Sequence, residues 1–163
     1  MAIDAKLIDP SLLLPEDPDP RYINSVFCHL KNLGAKQKGK RYEKITEDVL
    51  RKLGFDVAKP TSSQHDRIVD GRKIEIKGSM LARDSETFSF LQIRPNQEYD
   101  GIFFSMLYPD EVVIMEMDKA QILSNVQKGV FKSQHGGKSG NSGTYCYYGE
   151  KNSLLQIGAK EIC

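Results

Sequence analysis

Few residues in this chain announce a class, and what is scarce narrows the field first. Only three of the 163 residues are cysteine, Cys28, Cys146 and Cys163. Their odd number and irregular spacing argue against a disulfide framework, a zinc site or a redox pair, and fit reduced thiols. No apolar run approaches the length that spans a bilayer, and the first residues lack the charged region, apolar stretch and small-residue cleavage site of an export signal. The chain therefore reads as soluble and cytoplasmic, without a membrane partner. Charge of one sign is missing too. With a formal net charge of +1 there is no global basic field, so a nucleic-acid partner would have to be met by a local patch. Internal repeats and long low-complexity tracts are absent. What remains is an ordinary globular composition, 39% hydrophobic and 28% charged, at a length that suits one domain with a real core.

The most informative stretch runs from His65 to Ser79. Asp70-Gly71 lies between two extended runs, and both residues tolerate the positive φ of a type I′ turn, so the stretch reads as a hairpin. A two-residue loop pairs Val69 with Arg72, Ile68 with Lys73, Arg67 with Ile74 and Asp66 with Glu75. Directly opposed residues share a face, and strand residues alternate with period two. Asp66, Glu75 and Lys77 then converge on one patch, while Ile74 and Ile76 point the other way. Two neighbouring carboxylates repel unless a cation sits between them, and a hard divalent ion with oxygen ligands is a common solution. The bare pattern also fits a solvated amphipathic hairpin.

Upstream, three prolines between Pro15 and Pro20 favour an extended lead-in. From Arg21 to Leu33, Tyr22, Ile23, Val26, Phe27, Leu30 and Leu33 recur at helical spacing, with Gly34 placed as a stop. Lys36-Gln-Lys-Gly-Lys-Arg41 reads as a basic linker into a second helix from Tyr42, capped by Gly54. On that helix Tyr42, Ile45, Val49, Leu50 and Leu53 form one apolar arc. Glu43 falls at its edge and Glu47 farther toward solvent, so Glu43 is the better third carboxylate; a surface acid paired with a nearby lysine is the plainer alternative. Downstream, strands are expected at Phe55–Ala58, Thr87–Arg94 (with Phe88, Phe90 and Gln92 on one face), Tyr99–Leu107 and Glu111–Met117. Asp118 is a plausible N-cap for a helix with Ile122, Leu123 and Val126 inward. The segment 134–143 has four glycines, suiting a mobile loop or a close approach to a ligand. It lacks the spacing of a phosphate-binding P-loop. Thr144–Tyr148 and Leu154–Ile157 close the chain as short strands or an edge hairpin.

This order of elements resembles the PD-(D/E)XK nuclease superfamily. The run Lys38-Gly-Lys-Arg-Tyr-Glu43, followed by Leu50 and Gly54-Phe55, is similar to the opening helix of archaeal Holliday-junction resolvases, and that spacing also lands on Glu43. Gln92-Ile-Arg-Pro-Asn-Gln-Glu-Tyr-Asp100, with Gln134-His-Gly-Gly137 and Thr144, is similar to a cassette in restriction-endonuclease-like proteins. His65 stands where the namesake motif has proline. The resemblance implies an α/β (α+β) fold, with a central mixed sheet of about five strands flanked by helices. Residues 1–20 become an extended N-terminal arm and 21–163 a single nuclease domain. It further implies a type II-like catalytic domain, or the small catalytic subunit of a heterodimeric type IIS enzyme, cutting double-stranded DNA one strand per chain.

In that reading Asp66, Glu75 and the Ile76 carbonyl bind Mg²⁺, or Mn²⁺ in its place, and Glu43 completes the shell directly or through water. Lys77 orients the attacking water. Gln92 positions substrate, or ties strands together as a buried glutamine. Lys38, Lys40, Arg41, Arg94, His135 and Lys138 are candidate DNA contacts, against the alternatives of a solvated linker and a loop histidine. His65 should face away from Asp66 and serve the loop. A homodimer or a larger DNA-recognising subunit would supply the second cut. The competing readings are a Holliday-junction resolvase, or other structure-specific nuclease, and a catalytically silent DNA-binding relative.

Overall fold

Residues 19–134 and 143–163 are described by the structure, a computed structural model. The expected arm, apart from Asp19 and Pro20, and the candidate contacts His135 and Lys138 lie outside the described residues. Among the described residues, no helix is long and apolar enough to cross a membrane.

Helix α1, Ala35–Lys52, begins seven residues before the expected Tyr42. The run from Lys36 to Arg41 is therefore helix and not linker. Lysine, glutamine and arginine are good helix formers, and only Gly39 in the run opposes the helix, by about 1 kcal/mol. The helix stops as expected at Gly54, whose φ of 91° suits a glycine, with Leu53 and Gly54 donating back to Val49 and Arg51.

Strands β1 (Val57–Ala58), β2 (Arg67–Val69) and β3 (Arg72–Met80) follow. The turn between β2 and β3 is the expected two-residue loop, with Asp70 at φ 47° and Gly71 at 79°. Three of the four expected pairs form, Val69 opposite Arg72, Ile68 opposite Lys73 and Arg67 opposite Ile74, whereas Asp66 lies outside β2 and does not pair with Glu75 in the ladder. Asp70 belongs to the turn, where its Oδ1 accepts the Asp56 N–H at 2.9 Å. Asparagine tolerates the left-handed region and keeps that acceptor. Asp70→Asn should accordingly shift unfolding free energy by less than about 0.5 kcal/mol in a denaturant titration.

Strand β4 (Phe88–Ile93) leaves for a second sheet. Strand β5 (Gly101–Leu107) returns parallel to β3, and β6 (Val112–Asp118) pairs antiparallel to β5. Every residue of β5 is buried, as a central strand requires. Asp118 caps α2 (Lys119–Gln127) as expected, accepting from the Gln121 N–H. Ile122 is buried there, but Leu123 faces out, because the buried Asn125 takes the inward position and donates to the Ile157 carbonyl. Strands β7 (Lys132–Ser133) and β8 (Tyr145–Gly149) complete the second sheet, in the order β4-β8-β7. The last segment differs from expectation. Residues Lys151–Gln156 form helix α3, not a strand, with Leu154 buried and Gly158 at φ 98° turning the chain into β9 (Lys160–Glu161).

The fold is thus mixed α+β. A six-stranded mixed sheet, β1-β2-β3-β5-β6-β9, carries α1 on the face of Ile74, Ile76 and Phe103. Its other face, with Ile102, Phe104, Met115 and Met117, packs against Phe88, Phe90 and Ile93 of the second sheet and against Ile122 and Leu154.

The expected helix over 21–33 does not form. Two 3-10 turns, Pro20–Tyr22 and Cys28–Asn32, replace it, and Ile23 and Val26 are 53% and 86% exposed. Local bonds compete with the helix here: Ser25 Oγ accepts the Phe27 N–H, and the Tyr22 hydroxyl is anchored on the Leu107 carbonyl at 2.5 Å. Asp19 locks the segment. Buried to 4% exposure, it pairs with Arg21 at 2.8 Å and Lys31 at 3.0 Å. The hydrogen bonds from Arg21, ahead of those from Lys31, hold its carboxyl well below the usual carboxylate range. A depressed native pKa stabilises the fold fully above the ordinary value of 3.8 and progressively less as acid carries the pH below it. Asp19→Asn should cost about 2 to 3 kcal/mol at neutral pH and flatten the fall in stability below pH 4, as read by thermal melts across pH.

Candidate active site

The hairpin forms the floor of a cavity. Asp66, Glu75, Ile76 and Lys77 line it, together with Glu43 from α1 and Ser89, Leu91 and Gln92 from β4, around a volume of about 900 Å³. The alternation along β3 sends Glu75 and Lys77 to one face, and Lys77 Nζ donates to Glu75 Oε1 at 2.6 Å. At Asp66 the ladder becomes irregular. Its N–H donates to the Ile74 carbonyl at 3.0 Å, and its Oδ2 accepts the Ile76 N–H at 2.7 Å. The carboxylate thus stands in for the strand partner that β3 loses where β2 ends. Pleat geometry turns the Ile76 carbonyl to that same vacated side.

Burial pushes the Glu75 carboxyl above the usual range, Lys77 opposes the shift, and Asp66, within hydrogen-bond reach, adds to it. Burial likewise raises Glu43, with the Asp66 charge as the second cause. Glu43, Asp66 and Glu75 therefore border one cavity, and the Asp66 charge disfavours ionisation of the other two. Glu43 enters from the helix side, around the edge of β3 that β2 leaves uncovered.

Arg67 is the residue that sequence reasoning missed. It shares the face of Ile74, toward α1, and its guanidinium donates to Glu47 Oε2 at 2.8 Å, to Glu43 Oε2 at 3.3 Å and to the Asp66 carbonyl at 2.6 Å. Glu47 is held below the usual range by those bonds from Arg67, then Arg51. The two helix acids, predicted to differ in exposure, are equally half-buried at 28% and 27%, because Arg67 draws both inward. The available signal was the parity of Arg67 in the hairpin, which points it at a helix with glutamates four residues apart.

The remaining candidates divide. Lys38 borders the cavity, as do Lys31 and Lys36, while Lys40, Arg41 and Arg94 are exposed and do not line it. Gln92 does border it, but not on the face of Phe88 and Phe90. A bulge between Phe90 and Ile93, with Gln92 at φ 56°, shifts the parity so that Ile93 joins the phenylalanines inside and Leu91 and Gln92 turn out. The bulge is held by Gln134, whose Oε1 accepts the Gln92 N–H at 2.7 Å. His65 is buried in its own loop, its ring nitrogens near the Thr61 N–H at 3.3 Å and Ser62 Oγ at 3.5 Å, which is the loop role expected of it. Beside Glu75 lies a second unforeseen group, Tyr99. Its hydroxyl is buried without a hydrogen-bond partner, and burial, then the Glu75 charge, raises its pKa.

Among the described residues, no three or more His, Cys, Asp and Glu side chains gather into a complete metal cage. A magnesium ion does not need one: it binds through one or two carboxylates and keeps water or substrate phosphate for the rest. Asp66, Glu75 and the Ile76 carbonyl are a hard-oxygen set of that kind, so the donors fit.

No family model matches the sequence, and no curated protein matches it. Among solved structures the chain is similar to a bacterial homing endonuclease, I-Ssp6803I, with a TM-score of 0.43 and 18% identity, over 56% of this chain and 70% of that one. Function is therefore read from the side chains themselves.

Proposed function

We propose that this chain is a Mg²⁺-dependent DNA endonuclease of the PD-(D/E)XK superfamily, restriction-type, hydrolysing phosphodiester bonds with one active site that cuts one strand. The observation that carries the reading is the convergence of Asp66, Glu75 and Lys77, from one hairpin, with Glu43, from a helix, on a single cavity. Asp66, Glu75 and the Ile76 carbonyl would hold Mg²⁺, or Mn²⁺ in its place, with Glu43 completing the shell directly or through water. Bound there, the ion supplies polarisation of the phosphate, a more acidic water and neutralisation of the leaving oxygen. Lys77, steadied by Glu75, orients the attacking water and offsets phosphate charge. Lys36 and Lys38 hold the flanking phosphate at the N-terminus of α1. That terminus has no side-chain cap and no acid in its first turn, so it favours an anion. Cutting both strands of a duplex requires a second copy or a larger DNA-recognising subunit.

Plasmid, linear duplex and a four-way junction, incubated with Mg²⁺ or with EDTA, test the reading. Nicking or cutting of duplex in Mg²⁺ alone is expected, read on gels beside a size measurement with and without DNA. Cutting confined to the junction would replace restriction-type by structure-specific cleavage, a second reading favoured by the exposed Leu91 and Tyr148 near the cavity. No cutting of any substrate, with or without a large partner, would leave a silent DNA-binding module.

A further inference from the structure

The cavity wall made by β4 continues into a surface that the hydrolytic chemistry does not use. Register sets Ser89 opposite Tyr148 and Lys132 opposite Cys146, so these four share the outer face of the three-stranded sheet. The inner face is committed to the core through Phe88, Phe90, Ile93 and Tyr147. On the outer face Tyr148 is 60% exposed, while Cys146, two residues back, is buried. Leu91, 44% exposed, lines the cavity beside Ser89, turned out by ordinary strand alternation after the inward Phe90.

An aromatic ring and a leucine thus lie on a track that runs through Ser89 to the acidic floor. Cations flank it: Lys36 and Lys38 along the cavity and Lys132 on the sheet. Lysines meet phosphates, whereas flat apolar side chains meet the faces of bases, which a continuous duplex hides and an unpaired strand offers. We infer that the outer face of β4-β8-β7 is a stacking platform for an unpaired DNA strand entering the cavity, with Tyr148 and Leu91 against the bases and Lys36, Lys38 and Lys132 along the backbone. The inference rests on the nuclease reading and adds to its duplex substrate a preference for DNA with an unpaired stretch, such as a flap or a fork.

The sequence contains no tryptophan, so Tyr148→Trp in the full chain places a single reporter on the platform. Titration in EDTA with an unpaired oligonucleotide of about 12 residues should quench its emission saturably, with about tenfold tighter binding than the blunt duplex of the same sequence. By fluorescence anisotropy of the labelled oligonucleotide, Tyr148→Ala and Leu91→Ala should each weaken single-strand binding about tenfold, and Tyr148→Ala should leave duplex binding unchanged. Both side chains are exposed, so the fold tolerates their loss, which thermal melts check. Single-strand binding without quenching, or equal affinity for the two forms with no effect of Tyr148→Ala, would overturn the platform. Because the titration uses no metal, its failure counts against the platform alone, and absence of cleavage in Mg²⁺ counts against the nuclease alone.

Discussion

Asp66→Asn is expected to lower Mg²⁺-dependent cleavage on the order of a thousandfold or more, which corresponds to about 4 kcal/mol of barrier. The substitution separates chemistry from architecture. Asp66 Oδ2 accepts the Ile76 N–H at 2.7 Å, and an asparagine Oδ1 keeps that bond while removing the charge needed to hold a cation. Melting within a few degrees of wild type is therefore the companion result. Lys77→Ala should match it in activity, since it removes the ammonium that sits on Glu75 at 2.6 Å. Single-turnover cleavage on a labelled duplex and on a forked substrate measures both, and activity within tenfold of wild type in either variant would remove these residues from the site.

Gly78→Ala should be the most damaging change to stability, at about 3 kcal/mol or a fall of about 10 °C in melting temperature. A β-carbon at position 78 would stand 2.3 Å from both Cβ and Cγ of Tyr42. Because Tyr42 Cβ is bonded directly to the helix backbone, no rotamer relieves that contact, and α1 itself must move. Small residues make the seat for this helix: Gly78 under Tyr42, and Ser105, its neighbour on β5, whose hydroxyl hydrogen-bonds Thr46 Oγ1 at 2.8 Å. Burial pushes the Tyr42 phenol up to about 12, as expected of a ring packed against the core. Moving α1 also moves Glu43, so cleavage should fall with stability. Calorimetry giving a melting temperature within about 2 °C of wild type would show that the helix is not seated so tightly.

How much of this was legible in the sequence follows from the range of the forces involved. The turn and the register from Arg67 to Ile74 were readable because Asp70-Gly71 decides the turn locally and a two-residue loop leaves one register, while the irregularity at Asp66 was not. Gly54 and Asp118 were readable for the same reason, each serving a helix end through its own backbone or side chain. The segment 21–33 was not, because helical spacing of its apolar residues says nothing about Tyr22 reaching Leu107 or Asp19 gripping Lys31, partners that lie far away or on a side chain's tip. The face of Gln92 was lost to one positive φ in a residue that is not glycine, which flips the parity of everything after it. Within the candidate site, Asp66, Glu75 and Lys77 were legible as neighbours because period two places them. Arg67 and Tyr99 were not, because their places depend on how α1 and the start of β5 pack.

The six-stranded sheet ends on both sides in strands of two residues, Val57–Ala58 and Lys160–Glu161. A border that short offers a passing chain almost no ladder to extend, and the charged pair on the second makes it still less inviting. Edge-to-edge growth at these two borders is thereby blunted while the protein is concentrated.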